Sequence, residues 1–343
     1  MKNLLYISCH STLEEYDTTI FDNLGFNVFS TGFYQNPTAP THAHLNPLKR
    51  QVDQELLAEF KNSNPNYTYG YHTPLVLTKE FVNKFDIIVI SWRYDYLNNN
   101  WDLFKDKIVL FETVGQSDGN REKQLSEYRK KGVKLIRVSA TEEAFPCYAG
   151  ADFIAGACID TDRFYGWTGE NPTILSINSA IMDRPRECNT TLYLKLTEGL
   201  NKKLYGTKND KLHKSWNKGV VSSSQLVKEY QRCRLYFSLG SKPAPLTYTA
   251  MEAMSIGCPV ITWGPKLGSF PGLNTYITYK FINNEVNGFY SDDLNQLRFY
   301  IETLLKDHEL AKKISIESRK TAIENFAISV VQNRWEKFLS SLI

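Results

Sequence analysis

The chain has 343 residues, which is enough for two domains that each bury a core of their own. Its 42% hydrophobic and 22% charged residues are typical of a globular protein, and its formal net charge of +3 neither requires nor excludes a polyanionic partner. No apolar run approaches the ~20 residues of a transmembrane helix. The six cysteines are widely scattered, which predicts reduced thiols in a cytoplasmic protein and argues against a disulfide framework.

The first half of the chain alternates β-rich apolar runs with amphipathic stretches. The predicted strands are "NLLYISC", "FNVFSTG", "FDIIVISW", "DKIVLFE" and "VKLIRVS". The predicted helices are "STLEEYDTTIFDNLG", capped by Ser11 or Thr12, a helix that follows Pro47, and "NREKQLSEYRKKG". This alternation predicts parallel β-α-β units. A standard dinucleotide site is not predicted, because no G-x-G-x-x-G follows the first strand.

The second half begins the same alternation again after a seam rich in turn-forming residues, "CIDTDRFYGWTGENP". Its predicted strands are "PTILSIN", "KKLYG", "RLYFSLG" and "CPVITWG". Its predicted helices are "TLYLKLTEGLN", "SSQLVKEYQRC", a helix over about 247–256, and almost the whole tail from residue 293. The pattern predicts an α/β protein with two open parallel-sheet domains in series.

One loop of the second half combines several features of an anion-binding site, "GSKPAPLTYTAME". Ligands of open parallel sheets lie beyond the carboxyl ends of the strands, and a helix that begins there presents backbone N–H groups and the positive end of its dipole. N–H groups near Leu246, Thr247 and Tyr248 would suit a diphosphate, and Glu252 would accept hydrogen bonds from ribose hydroxyls. Glu252 could equally be an acid in the first helical turn, stabilised by the dipole alone.

The stretch "LTYTAMEAMSIGCPVIT" resembles the nucleotide-sugar signature of GT-B glycosyltransferases, particularly the retaining family 4, whose pattern is E-G-F-G-x-x-x-x-E-A-M-x-x-G-x-P-V-I. Three further stretches resemble segments of that family in the same order: "CIDTDRF", "NEVNGFYSDDLNQLRFYIETLLKD" and "ESRKTAIENFAISVVQNRWEKFL". The resemblance covers about residue 158 to the C-terminus. The first half is similar only in its alternation.

The resemblance implies two Rossmann-like parallel-sheet domains that face each other across a cleft. The acceptor-binding domain would be 1–165, completed by a C-terminal helix at about 326–343, and the nucleotide-sugar-binding domain would be 166–325. It also implies that a sugar moves from a nucleoside-diphosphate sugar to an acceptor hydroxyl with retention of configuration. Cations and a helix N-terminus, in place of a metal, would stabilise the departing diphosphate, and no cofactor is expected.

Two departures from the family pattern concern the donor site. The first glutamate of the signature aligns with Ala244, which cannot accept a sugar hydroxyl. The family's phosphate-binding Arg and Lys align with Ser179 and Arg184, so that one cation is kept and one is missing. The missing cation could come from Arg186 or Lys242, although these residues also fit solvated turns.

Candidate residues on the acceptor side follow the strands of the first half. His10 and Glu14 follow "NLLYISC", Trp92 follows "FDIIVIS", and Glu112, Gln116 and Ser117 follow or end "DKIVLFE". Together with Arg184, His10 and Glu112 are the catalytic candidates, and Glu14, Trp92, Gln116 and Ser117 are the acceptor-binding ones. Packing of His10 and Trp92, and capping of a helix by Ser117 or Asp118, are the structural alternatives.

No metal site is predicted. The pair Asp160 and Asp162 lies in the linker, and His42 and His44 lack further ligands nearby and suit a surface loop. The basic loop Lys208–Gly219 is expected to be solvated, although it could meet anionic lipid, DNA or phosphate.

The expected partners are a nucleotide sugar and an acceptor that is a glycan, a lipid-linked sugar or a small molecule, with peripheral membrane contact left open and nucleic acid less expected. Three alternatives keep the fold. They are a viral-type glycosyltransferase of hydroxymethylated DNA bases, a degenerate non-catalytic protein that binds nucleotide sugars, and a nucleotide-sugar epimerase.

Overall fold

The computed structural model describes residues 2–8, 10–32, 53–67 and 75–342, so His42, His44 and Cys9 lie outside the described residues. The chain divides into two compact units, Met1–Gly156 with Gln332–Ile343, and Ala157–Val331. The sequence-based boundaries were residues 165 and 326.

The first unit is built on a parallel sheet with the strand order β2-β1-β3-β4-β5-β6 in the described residues. The strands are β1 (Asn3–Ile7), β2 (Asn27–Ser30), β3 (Ile87–Ser91), β4 (Ile108–Glu112), β5 (Lys134–Arg137) and β6 (Phe153–Ile154). The helices are α1 (Ser11–Asn23), α2 (Gln54–Ser63), α3 (Lys79–Val82), α4 (Tyr94–Asn99), α5 (Trp101–Phe104) and α6 (Gly119–Lys130), with a 3-10 helix at Ala140–Ala144. Every residue of β3 is buried, as expected for a parallel strand covered on both faces.

The second unit contains the other described sheet, which is also parallel and has the order β12-β11-β10-β7-β8-β9. Its strands are β7 (Asn171–Ile177), β8 (Lys202–Tyr205), β9 (Asn217–Gly219), β10 (Cys233–Ser238), β11 (Val260–Trp263) and β12 (Gly288–Ser291). Its helices are α7 (Thr190–Leu196), α8 (Ser223–Arg232), α9 (Tyr248–Ile256), α10 (Pro265–Gly268), α11 (Leu294–Lys306) and α12 (His308–Phe326), with a 3-10 helix at Thr278–Phe281. Numbered within the unit, the strand order is 3-2-1-4-5-6, the doubly wound order of dinucleotide-binding domains.

The last helix, α13 (Ile328–Ser340), supplies the C-terminal part of the first unit. Its Trp335 is 1% exposed and packs edge to face on Phe21 of α1 and Phe153 of β6, with ring centroids 5.1 Å and 4.8 Å away. The aromatic contacts explain how a helix remote in sequence completes this core.

The sequence predicted the longer elements, and several boundaries differ. Helix α1 is capped by His10, whose Nδ1 accepts a hydrogen bond from the N–H of Thr12, in place of Ser11 or Thr12. Helix α2 begins at Gln54, because the Asp53 carboxylate caps it. Part of the predicted basic loop forms β9, which pairs with β8. Strands β6, β9 and β12, which are two to four residues long, were not among the predicted strands.

No helix in the described ranges combines the length and the apolar character that crossing a membrane requires. The cysteines that the structure describes form no disulfide; the nearest pair is Cys233 and Cys258, with buried sulfur atoms 3.4 Å apart.

Candidate functional site

The point where the strand order reverses in the second unit lies between β7 and β10, and the loops that follow these strands are joined there. The Nδ2 of Asn178, directly after β7, donates to the carbonyl oxygen of Gly240 at 2.6 Å. Gly240 has φ +72°, in the left-handed region that glycine adopts without strain. In open parallel sheets this reversal point is the usual ligand position.

The loop from Gly240 to Thr247 leads into the N-terminus of α9 with several backbone donors unused. The N–H groups of Leu246, Thr247 and Thr249 donate to no group among the described residues. The N-cap residue Thr247 does not cap the helix; its Oγ1 lies 3.4 Å from the hydroxyl of Thr249. The helix therefore presents N–H groups and the positive end of its dipole, which suits an anionic ligand.

Arg184 lies beside this loop and is held by groups from both strand ends. Its Nη1 donates to Ser241 Oγ at 2.9 Å, and its Nη2 donates to Asn178 Oδ1 at 3.0 Å and to the carbonyl of Ser179 at 2.5 Å. A guanidinium has five N–H donors, so two remain without a partner in the described part of the chain. The side chain is half-buried, which leaves an oriented cation bonded to the start of the loop that leads into α9.

Glu252 is the fifth residue of α9 and is half-buried. The first turn contains no acid, so the alternative of a first-turn acid stabilised by the dipole does not apply. Its Oε2 accepts a hydrogen bond from the buried hydroxyl of Tyr230 at 3.0 Å. Burial, reinforced by the negative charge of Glu252, raises the pKa of Tyr230 well above its ordinary value, so the phenol keeps its proton and holds the carboxylate in place.

The remaining donor-side candidates differ in how they are engaged. Ser179 joins two loops, because its Oγ accepts a hydrogen bond from the N–H of Thr207 at 3.1 Å. Lys242 donates from Nζ to Asn189 Oδ1 at 2.8 Å, and burial, helped by the charge of Arg186, lowers the pKa of its ammonium group. Arg186 is exposed and forms no ion pair within the described ranges, so it is the more available of the two proposed cations.

Three acceptor-side candidates of the first unit come together where β3 and β4 end. Trp92 directly follows β3, and its Nε1 donates to the carbonyl oxygen of Gln116 at 2.9 Å. Gln116 and Ser117 are half-buried, and Asp118, rather than Ser117, caps α6. His10 is exposed after β1, the strand next to β3.

Burial argues against the predicted roles of Glu14 and Glu112. Glu14 is 0% exposed, and its carboxylate accepts hydrogen bonds from the hydroxyls of Ser30 at 2.5 Å and Ser8 at 3.2 Å. Glu112 is 2% exposed, and its Oε2 lies 3.2 Å from the hydroxyl of Tyr6. Neither carboxylate reaches the surface, so we correct both assignments to structural ones.

Glu112 belongs to a buried pair of acids bridged by a phenol. The Tyr6 hydroxyl donates to Asp17 Oδ2 at 2.7 Å and also contacts Glu112. Burial raises the pKa of Asp17 to about 6, and burial together with the charge of Asp17 raises the pKa of Glu112 well above its usual range.

The sequence analysis missed several residues that shape the donor site. Tyr230 lies in α8 at a position that the pattern assigns to the core, and its contact with Glu252 depends on packing between α8 and α9. Asn178 ends the predicted strand "PTILSIN" and Ser241 follows the predicted strand "RLYFSLG", and this placement could have identified them as residues at the carboxyl edge.

Asp160, which was weighed as a metal ligand, instead caps a turn. Its Oδ1 accepts hydrogen bonds from the N–H groups of Asp162 and Arg163, both at 3.1 Å. No group of three or more His, Cys, Asp or Glu residues placed to hold a metal ion occurs within the part of the chain that the structure describes.

Comparison with solved structures identifies the architecture. Sucrose-phosphate synthase from Thermosynechococcus elongatus aligns over 100% of this chain and 99% of its own, with TM-score 0.65 and 15% identity. HepE from Anabaena, crystallised with UDP-glucose, aligns over 99% and 100%, with TM-score 0.68 and 14% identity. The chain has the GT-B fold. A glycosyltransferase from Rickettsia africae shares this fold, with TM-score 0.64 and 17% identity over 99% of this chain and 98% of that one.

No protein-family model matches the chain, and no curated protein matches its sequence. The likeness is therefore one of structure, at identities that show a common fold.

Proposed function

We propose that this GT-B protein is a glycosyltransferase that binds a nucleoside-diphosphate sugar at the carboxyl edge of its second unit and transfers the sugar to an acceptor hydroxyl with retention of configuration. The observation that carries the proposal is the combination at the β7–β10 reversal point. There, N–H groups at the α9 N-terminus that have no partner among the described residues follow the loop that Arg184 contacts at Ser241. Arg184 keeps two N–H donors without a partner in the same part of the chain, and Glu252 lies one turn further along the helix.

Each group has a defined task in this proposal. The N–H groups of Leu246, Thr247 and Thr249, with Tyr248 at the first helical position, bind the diphosphate, and the Glu252 carboxylate accepts the ribose hydroxyls. Breaking the glycosidic bond places negative charge on the departing diphosphate. Arg184, with Arg186 nearby in sequence, stabilises that charge more strongly as it develops.

The reaction needs little acid or base chemistry from side chains, because the acceptor proton passes to the departing diphosphate oxygen. We propose that arginine and the helix N-terminus supply the charge stabilisation that a metal supplies in other glycosyltransferases. The expected result is that EDTA leaves the transfer rate unchanged; strong inhibition reversed by a divalent cation would contradict this part.

We assign acceptor binding to the first unit, where Trp92, Gln116, Ser117 and the exposed His10 follow the strand ends. An indole face packs well against a sugar ring. Sugars are the acceptor class that we favour, and HepE, one of the structures that share the fold, has been crystallised with UDP and glucose. We place the protein in the cytoplasm, where nucleotide sugars are substrates for such a site.

A thermal-shift screen tests the donor class directly. A ligand that binds only the folded state raises the melting temperature by mass action, so UDP, ADP, GDP and dTDP, with their common sugar conjugates, should include one clear stabiliser. Hydrolysis or transfer from that nucleotide sugar, followed by chromatography, then tests catalysis. Stabilisation without turnover against any acceptor would indicate a non-catalytic sugar-nucleotide binder, and turnover only with duplex DNA would indicate the DNA-modifying alternative.

A further inference from the structure

A short segment after α10 fixes the conformation of the loop that precedes α9. We call Thr275–Ile277 the strap. The Oγ1 of Thr275 donates to the carbonyl oxygen of Pro243 at 2.6 Å, and the N–H of Ile277 donates to the carbonyl oxygen of Pro245 at 2.7 Å. The strap therefore binds the loop at two carbonyls that flank Ala244.

The hydrogen bond from Ile277 to Pro245 fixes where the next backbone donor points, and the bond from Thr275 to Pro243 ties the preceding part of the loop to the same strap. In a planar trans peptide the N–H points away from the carbonyl of the preceding residue. Because the Pro245 carbonyl is turned toward Ile277, the N–H of Leu246 is turned away from the strap. That N–H has no partner among the residues that the structure describes. The strap therefore keeps it available to donate a hydrogen bond to a ligand.

Tyr276, the middle residue of the strap, packs against the same loop. Tyr276 is 2% exposed, and its hydroxyl forms a close hydrogen bond with Thr262 of β11. A Cβ added at Gly268 would lie 2.1 Å from the Tyr276 ring, and one added at Gly240 would lie 3.5 Å from it. The ring thus packs against both the loop after β10 and the end of α10, and it limits how far either can move.

We propose that Thr275 is a positioning residue for diphosphate binding, acting through the Pro243 carbonyl on the N–H donors that begin at Leu246. This inference rests on the proposed function of the α9 N-terminus as the diphosphate site. Thr275 touches no ligand in this proposal. Its hydroxyl pre-forms the loop, so the loop does not have to be ordered when the ligand binds.

The test compares Thr275→Val, which removes the hydroxyl at nearly constant volume, with Thr275→Ser, which keeps it. The probes are inorganic pyrophosphate, UDP, ADP and GDP, measured by isothermal titration calorimetry. In the Val variant the ligand has to order the loop itself, and an ordering cost similar to one net hydrogen bond corresponds to an increase in Kd of about five- to tenfold. The Ser variant should bind like wild type.

Comparing pyrophosphate with a nucleoside diphosphate separates an effect on the phosphate-binding loop from a general loss of protein stability. The increase in Kd should be the same factor for pyrophosphate as for the best nucleoside diphosphate, because the strap acts on the phosphate-binding loop. Kd values should be compared well below the melting temperature of each variant, so that partial unfolding does not contribute.

The outcomes distinguish the two proposals. If wild type binds a nucleoside diphosphate and Thr275→Val binds it equally well, the inference fails and the proposed function stands. If both variants lose affinity alike, the hydroxyl is not the cause and the inference also fails. If wild type binds neither pyrophosphate nor any of the nucleotides, the proposed function fails and the inference fails with it.

Discussion

The two units place polar residues at the carboxyl ends of parallel strands, yet they use them in opposite ways. In the first unit the carboxylates of Glu14 and Glu112 turn inward, where hydroxyls of Ser8, Ser30 and Tyr6 satisfy them. In the second unit the guanidinium of Arg184 and the N–H groups before α9 keep donors available. Residue type and position after a strand are thus insufficient to identify a ligand-binding group.

The difference follows from what surrounds each polar group. Helix α1 directly follows β1 and brings Glu14 and Asp17, three residues apart on one helical face, against the sheet. Internal partners are then available, and an acid without one would be costly to bury. In the second unit a proline-containing loop separates β10 from α9, and the helix lacks a side-chain cap, so the donors remain for an external partner.

Arg184→Ala provides the strongest test of whether the carboxyl ends of β7 and β10 in the second unit form a binding site. We expect kcat for sugar transfer to fall by about 100- to 1,000-fold, with a smaller rise in KM, because the lost interaction strengthens as the diphosphate departs. Steady-state kinetics with the donor found by the thermal-shift screen measures both constants.

Arg184→Lys is the matched control, because it keeps the positive charge and loses the fork that bonds Ser241 and Asn178. Its kcat should lie between those of wild type and the Ala variant. A normal kcat in Arg184→Ala would show that the guanidinium only joins the two loops.

Glu112→Gln tests the inward-facing acids of the first unit. Burial raises the pKa of both Asp17 and Glu112, so the folded state binds more protons than the unfolded state between their unfolded and folded pKa values. Stability contributed by this pair is therefore present at low pH and falls as pH rises through about 6. Removing one titrating group should raise the free energy of unfolding at pH 8 by about 1–2 kcal/mol and change it little at pH 4, where Glu112 is still largely protonated in the unfolded chain.

The melting temperatures of wild type and variant at the two pH values measure this difference. Glu122→Gln is the control, because Glu122 is equally buried but pairs with Arg137 through two hydrogen bonds of 2.9 Å and 2.8 Å. That change removes the closer of the two carboxylates that pair with the buried Arg137, leaving Glu142 at 3.5 Å, and should lower the melting temperature at both pH values. A Glu112→Gln variant that is less stable than wild type at pH 8 would mean that the ionised pair stabilises the fold.

Much of the fold was predictable from the sequence because buried parallel strands and long helices have strong patterns. "FDIIVISW" and "DKIVLFE" predicted β3 and β4, and the tail pattern predicted α11, α12 and α13. The strand order was not predictable, since the pairing of β7 with β10 joins residues about sixty positions apart and leaves no local trace.

The candidate site was predictable only in part. The position of Glu252 on a helix after a strand follows from local pattern, and the structure has it there. The inward rotation of Glu112 and the phenol of Tyr230 depend on which helix covers which strand, so they required the tertiary structure. The strap is separated by about thirty residues from the loop that it holds and matches none of the segments on which the resemblance rests.

Glu252→Ala is the mildest test of the comparison between the two units. Glu252 is half-buried, so it lies between the fully buried acids of the first unit and the available donors of the second. We expect the Kd for the best nucleoside diphosphate to rise about tenfold, or 1.4 kcal/mol, through loss of an acceptor for the ribose hydroxyls. The melting temperature without ligand should change little, because the Tyr230 hydroxyl keeps a hydrogen bond to the Thr249 carbonyl at 2.9 Å.

Calorimetric titration with a ribonucleotide and its 2′-deoxy analogue makes this assignment specific. Wild type should prefer the ribonucleotide, and Glu252→Ala should lose most of that preference, because the carboxylate is the group that distinguishes the two sugars. Tyr230→Phe keeps the Glu252 carboxylate but removes the hydroxyl that helps to orient it. The preference of this variant for the ribonucleotide should therefore be intermediate. An equal preference in wild type and Glu252→Ala, accompanied by a lower melting temperature, would place Glu252 with the structural acids of the first unit.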